Sequence, residues 1–446
     1  MRVVALVDGE HYPPVTRWGL DVARERGLDV VCALFLGGTE KLRAGSLPDL
    51  GVPVESAGAD PRLALSRAIA RHMADGVLDL SDEPVVGYDE RMWLIATALV
   101  ARVPYLGADF RLDPPVVGEH LEVPSVAVIG TGKRVGKTAV GGALARAAAD
   151  AGLRPVVVAM GRGGPVEPEV APAGTVTVDG LLRRARAGEH AASDYLEDAV
   201  TSGVTTVGAR RVGGGLAGAP YASNVRRAAE VAVDAGGDLV VLEGSGAAVP
   251  PVPWDAGILV VGHGTPLEHL GGYLGPYRLL LSDLVVLIME SSPHAGPENP
   301  SVLRSLIQRF QGDARLIVTD LEPVPLGDVQ GKDVFFATTA PEPVATRQVA
   351  SLQERHGCRV VGSSARLADR AGLVEDLEGS EGFEVLLTEL KAAAVDVAAE
   401  HAARAGATVV FVDNRPVAVG DEDLDAALAD VVELARTRFR ERRAHR

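Results

Sequence analysis

Residues 125–138 read Ser-Val-Ala-Val-Ile-Gly-Thr-Gly-Lys-Arg-Val-Gly-Lys-Thr, and this stretch constrains the chain most. A short apolar run ends in a glycine-rich turn and reopens as an Ala/Leu-rich helical pattern over 137–151. Strand, glycine turn and helix in that order predict a P-loop. Its backbone N–H groups curl around a phosphate chain, and the helix N-terminus adds partial positive charge. On this reading Gly130, Thr131, Gly132, Lys133, Arg134, Val135, Gly136, Lys137 and Thr138 bind ATP. Lys137 reaches the β- and γ-phosphates, and the Thr138 hydroxyl binds Mg²⁺. The spacing departs from G-x-x-x-x-G-K-T: Thr131 stands where glycine is expected, and Gly130 comes one place early. A glycine turn without a ligand is the plainer alternative, and Gly-Lys-Thr in this context disfavours it.

The surrounding chain fits an α/β fold. Apolar runs at 2–7, 30–36, 155–159, 238–242, 257–261, 284–288 and 315–318 are continuous rather than alternating, as in parallel strands buried on both faces. Helical patterns lie between them. Pro114-Pro115 and Pro124 mark a boundary. We therefore expect an N-terminal α/β domain over 1–118, a P-loop NTPase domain with a mostly parallel sheet over 122–375, and a small helical and hairpin region over 376–446. In that last region, 408–419 reads as hairpin-like around Asp413-Asn414, and the basic end from Arg436 reads as a solvated, fraying helix. The net charge of −16 repels phosphate backbones and anionic lipid, so neither nucleic acid nor membrane is an expected partner. The apolar run at the start stops at Asp8, short of a signal core, and cytoplasmic residence is expected. Cys32 and Cys358 cannot build a disulfide framework or a cysteine-rich zinc site, and read as small buried hydrophobes.

Other polar residues sit where ligands bind in α/β sheets. Asp238–Glu243 is an apolar strand ending in a carboxylate before Gly244-Ser245-Gly246, which makes Glu243 a candidate second Mg²⁺ ligand. Arg162 lies in Gly161-Arg-Gly-Gly164, and Arg210 and Arg211 precede Gly213-Gly-Gly215. Guanidinium groups beside such loops suit oxyanion binding, with solvated loop arginines as the alternative. Lys133 could face a transferring phosphoryl group. His11 follows the first strand among Asp8 and Glu10, a common position for ligand contacts. His263 gives a weaker signal, and Arg183, Arg184, Arg226 and Arg227 read as helix surface.

The form G-T-x-x-x-V-G-K-T resembles the P-loop of dethiobiotin-synthetase-like ATPases, which also carry an E-G-x-G stretch similar to 243–246. More specific is the combination of Leu6-Val-Asp-Gly-Glu-His-Tyr-Pro-Pro-Val-Thr16, the Gly130–Thr138 loop, Gly188-Glu-His-Ala-Ala-Ser-Asp-Tyr-Leu-Glu-Asp198 and the Arg210–Gly218 loop. Together they resemble the cyclic 2,3-diphosphoglycerate synthetase family over most of the chain. The resemblance implies an ATP-dependent ligase that closes 2,3-bisphosphoglycerate into a cyclic pyrophosphate, releasing ADP and phosphate, and acts as a homodimer. It implies that Arg210, Arg211, Arg162 and Lys133 hold substrate phosphates, and that His11 positions substrate from the first domain. The alternatives are another dethiobiotin-synthetase-like ligase, which would need fewer cations around its second site, and a regulatory P-loop NTPase.

Overall fold

A computed structural model describes residues 1–38, 47–289, 300–310, 312, 314–380 and 382–445. The chain forms two compact units. One comprises Met1–Val116, Pro266–Leu281 and Leu306–Gly312; the other comprises Val117–Thr265, Ser282–Ser305 and Asp313–Arg446.

The first unit is built on a six-stranded sheet in the order Val54–Ser56, Asp29–Phe35, Arg2–Val7, Gly76–Asp79, Tyr105–Leu106 and Arg111–Leu112. All pairs are parallel except the last. The order reverses between Arg2–Val7 and Gly76–Asp79, and the carboxyl ends of these two strands carry Asp8 and Asp79. Val3, Ala5, Val7, Leu20, Ala33 and Leu50 form its core.

The second unit holds the larger sheet. From one edge its strands run Ala222–Ser223, Thr205–Val212, Pro155–Gly161, Leu239–Glu243, Ser125–Gly130, Ala256–Gly262, Leu284–Ile288 and Arg315–Pro325. They continue through Thr408–Ala418, Val385–Thr388 and Asp333–Ala337 to Arg359–Ser364. The P-loop strand, Ser125–Gly130, is central and buried throughout, which accounts for its unbroken apolar run. The helix Lys137–Asp150 follows it and buries Val140, Leu144, Ala145 and Ala148. The helix Leu424–Ala444 shares the same core. It buries Leu424, Ala427, Leu428, Val431, Val432 and Ala435, one stripe at helical spacing.

Two expectations for the C-terminal region are corrected. Residues 408–418 form one continuous strand rather than a hairpin, parallel to Val385–Thr388 at its start and antiparallel to Arg315–Pro325 at its end. Asp413 and Asn414 make no turn because their side chains are otherwise engaged. Asp413 pairs with Arg146 and Arg415, at 3.1 and 2.9 Å, and Asn414 donates to Glu389 at 2.6 Å. The basic end of the last helix is also anchored. Arg438 forks onto Asp283 at 2.7 and 2.9 Å, and Arg442 reaches buried Asp255 at 2.9 Å. Asp255 in turn accepts the backbone N–H of Ser125 at 3.0 Å, at the root of the P-loop strand.

Candidate active site

The loop after Ser125–Gly130 shows why this chain departs from the usual P-loop spacing. Gly136, with φ +92°, caps the following helix in the left-handed region, and a Cβ there would meet Ile288 Cγ1 at 2.9 Å. At Gly130 a Cβ would lie 2.9 Å from both Lys137 Cδ and Val135 Cγ2, so glycine is needed where the lysine stem folds back. Thr131 fits beside it, with its hydroxyl 2.8 Å from that of Thr265.

Lys137 is buried and donates to the Gly132 carbonyl at 2.8 Å. Burial pulls its pKa down to about 8, against the opposing pull of Glu243 and Asp194. A loop lysine so poised gains charge when an anion enters. Lys133 and Arg134 are exposed on the same loop.

Behind the loop lies an acidic group. Glu243 ends its strand buried, facing Asp198 and the Thr138 hydroxyl. Burial first, and then the charge of Glu243, push the Asp198 carboxyl well above its usual range; burial raises Glu243 too. Asp198 Oδ2 and Glu243 Oε1 are buried with no hydrogen-bond partner among the described residues. Two orphaned carboxylate oxygens beside the Thr138 hydroxyl form an oxygen donor set suited to Mg²⁺. The residues present therefore fit the ion.

Sequence reasoning missed Asp198 as a candidate ligand. Its signal was available: Asp194, Glu197 and Asp198 follow the i, i+3, i+4 spacing of one helical face. The helix Asp194–Ser202 buries Glu197 and Asp198 rather than exposing them. Glu197 pairs with Lys391 at 2.8 Å, and burial pushes its carboxyl up to about 7.

Three of the cationic candidates, Arg162, Arg210 and Arg211, line one cleft of about 560 Å³ together with Ser223 and Asn224; Lys133 is not among the residues that line it. Arg210 Nε donates to the carbonyls of Gly164 and Pro165 at 3.1 and 2.7 Å. Arg211 donates to the Gly213 carbonyl at 2.6 Å and the Ser245 carbonyl at 2.8 Å. Arg162 is exposed, its Nη2 lying 2.6 Å from where a Cβ on Gly246 (φ +60°) would stand. Glycine at 246 thus leaves room for the guanidinium. Asn224, also missed, ties the loops together. It accepts from Arg210 N at 2.7 Å and donates to the Val166 carbonyl at 2.9 Å.

His11 belongs to the first unit. Its Nδ1 lies 3.0 Å from Asp8 Oδ1, and Asp8 also accepts from Glu10 N at 2.9 Å and Asp82 N at 2.6 Å. His263, in the P-loop unit, is buried with Nε2 unpartnered among the described residues. Arg184 is not simple helix surface, since it forks onto Glu169 at 2.6 and 3.1 Å. Both cysteines are buried. Cys32, Glu55 and His72 bring ligand atoms within 4.8 Å of one another. Arg71 and His72 already engage Glu55, at 3.0 and 2.8 Å, and burial pushes the Cys32 thiol up to about 11. This is an ion-pair cluster beside a neutral thiol. No described helix is long and apolar enough to cross a membrane.

Comparison with known proteins places this geometry in a family. Three models of cyclic 2,3-diphosphoglycerate synthetase match in succession: the N-terminal domain over residues 2–113, the P-loop domain over 125–320 and the C-terminal domain over 325–415. The chain belongs to the cyclic 2,3-diphosphoglycerate synthetase family. It is 48% identical to the cyclic 2,3-diphosphoglycerate synthetase of Rubrobacter xylanophilus over 98% of both chains. It is 42% identical to that of Methanothermus fervidus over 99% of both. Among solved structures, LpxK from Aquifex aeolicus in complex with ATP aligns with a TM-score of 0.41 and 14% identity, covering 73% of this chain and 90% of that one. The protein is thus an enzyme, an ATP-using synthetase of the ligase class, with a P-loop α/β fold.

Proposed function

We propose that the protein closes 2,3-bisphosphoglycerate to cyclic 2,3-diphosphoglycerate, with ATP converted to ADP and phosphate. What supports this reading is the cleft with three arginines in the same unit as a P-loop whose buried carboxylates have oxygens left open. Joining two phosphates of one molecule is uphill in water, so one of them must gain a leaving group. An oxygen of one substrate phosphate attacks the γ-phosphorus of ATP, forming a new P–O–P bond and expelling ADP. The neighbouring phosphate then attacks the inner phosphorus of that pyrophosphate, closing the ring and expelling inorganic phosphate.

Both phosphates belong to one molecule, so ring closure is already intramolecular; the cleft adds orientation, a part of the gain of about 7–11 kcal/mol that full positioning of two reactants can supply. No protein nucleophile is required. Lys137 and the loop N–H groups grip the nucleotide phosphates. Arg162, Arg210, Arg211 and Lys133 hold the substrate phosphates and offset their mutual repulsion. Thr138, Asp198 and Glu243 would hold Mg²⁺, which would supply neutralisation of the nucleotide's phosphate charge when bound. Inside the first unit, Asp8 fixes the His11 ring through Nδ1 and leaves Nε2 as its remaining polar atom.

³¹P NMR of the protein with ATP, Mg²⁺ and 2,3-bisphosphoglycerate tests the proposal. The expected result is ADP, phosphate and an intramolecular pyrophosphate in equal amounts. ATP hydrolysis indifferent to 2,3-bisphosphoglycerate, with no cyclic product, would overturn it.

A further inference from the structure

The helix Asp194–Ser202 brings three carboxylates to the P-loop unit on one face, Asp194, Glu197 and Asp198, and the strand Leu239–Glu243 adds Glu243. A divalent ion held by Asp198, Glu243 and Thr138 would therefore sit one helical position from another carboxylate. The charge that answers Glu197 comes from far along the chain. Lys391 Nζ lies 2.8 Å from Glu197 Oε1, and follows the strand Val385–Thr388 of the C-terminal part of the sheet.

We propose that Lys391 is a positioning residue for the metal site: by engaging Glu197 it keeps a third carboxylate out of ligation and leaves Asp198 and Glu243 to hold the ion beside Thr138. The inference rests on the metal-site reading given above.

Lys391 is held for this task. Glu389, two residues earlier, is buried and locked by the Thr339 N–H at 2.9 Å, the Thr339 hydroxyl at 2.7 Å and the Asn414 amide at 2.6 Å. Ala392, directly after it, takes φ +49°, a left-handed conformation that costs a non-glycine residue energy. A π-helical turn, Ala394–Ala399, follows, and such turns often mark functional positions. The backbone that carries Lys391 is thus held on both sides, and the charges of Glu197 and Glu389 favour the protonated ammonium.

The consequence is unusual in sign. Removing a cation next to a cation site, and freeing a carboxylate there, strengthens metal binding while spoiling its geometry. A general structural defect would weaken both binding and turnover. The full-length protein and its Lys391→Met, Lys391→Arg and Lys391→Met/Glu197→Gln variants separate the two. In Lys391→Met, kcat for ring closure should fall at least tenfold with KM for 2,3-bisphosphoglycerate within threefold. Its Mn²⁺ half-saturation with ADP present, followed by EPR, should fall at least fivefold. The double variant should return both quantities to within threefold of wild type, as no carboxylate then remains to intrude. Lys391→Arg should keep the wild-type Mn²⁺ half-saturation within threefold. In EDTA, Lys391→Met should lower the melting temperature and the double variant should recover part of the loss.

Mn²⁺ binding unchanged or weakened in Lys391→Met, or a double variant no better than the single, would overturn the proposal. If the wild type made no cyclic product, the functional reading would fail by itself. The Mn²⁺ titrations and the melts in EDTA would still decide the role of Lys391.

Discussion

Both units bury carboxylates at or beside the carboxyl ends of parallel strands, and the two sets have opposite fates. In the first unit Asp79 accepts from Ser81 N at 3.0 Å, Arg91 Nε at 2.8 Å and Tyr105 OH at 2.7 Å, while Asp8 accepts from His11, Glu10 N and Asp82 N. In the second unit Asp198 and Glu243 are as deeply buried, yet each has an oxygen without a partner among the described residues. The first set is a finished knot, in which buried charge is matched by donors. The second is costly until something cationic arrives. Position on a sheet therefore does not distinguish structure from function; the hydrogen-bond account does.

The severest test removes the P-loop cation. Lys137→Ala should lower turnover by about 10³-fold or more and abolish measurable nucleotide binding by calorimetry. Unchanged affinity would break the comparison, because the second unit would then not be a phosphate site at all.

The next test exchanges acid for amide in each unit. Glu243→Gln should cost about 10²-fold in turnover, yet raise the melting temperature of the metal-free protein at pH 7. The sign follows from linkage. A carboxyl whose folded pKa is raised loses stability as pH climbs above its unfolded value, and the amide escapes that loss. Asp79→Asn should do the reverse, destabilising by roughly 3 kcal/mol because Arg91 loses its counter-charge and one of the two accepting oxygens becomes a donor facing other donors. Denaturant unfolding of both variants reads the difference. Equal destabilisation by the two would remove the contrast.

A smaller effect is expected at Gly246. Gly246→Ala should displace Arg162 and lower kcat about tenfold, with ATP affinity kept, as a single misplaced guanidinium weakens transition-state contacts. The mildest prediction concerns pH. With the free Lys137 pKa near 8, nucleotide affinity should fall as pH rises above 8, since the anion binds the protonated amine. Over the interval from 8 to the unfolded value of 10.5, the same group makes the ligand-free protein more stable as pH rises, because the unfolded chain binds more protons there. Melting curves and binding isotherms across that interval should move in opposite directions.

The phosphate loop was legible because all its parts lie within fourteen consecutive residues and its glycines have local steric causes. Glu243 was legible for a similar reason, as the carboxylate that ends an apolar strand. The parallel strands announced themselves by unbroken apolar runs. Asp198 was hidden because its acidic helical face looks like solvated surface until the fold buries it. Lys391 was hidden more deeply: only the continuity of one sheet brings it to Glu197, and no local pattern encodes that approach. The Asp413-Asn414 pair misled for the same reason, since partners distant in sequence, Arg146 and Glu389, take the side chains that turn chemistry would have used.

The salt link from Arg442 through Asp255 to the first amide of the P-loop strand has a consequence for biosynthesis. The segment that steadies the nucleotide cradle leaves the ribosome long after the cradle itself. A nascent chain can lay down the strand and its loop early, but their foundation is clamped only when the closing helix docks. Catalytic competence should therefore emerge late and abruptly during translation.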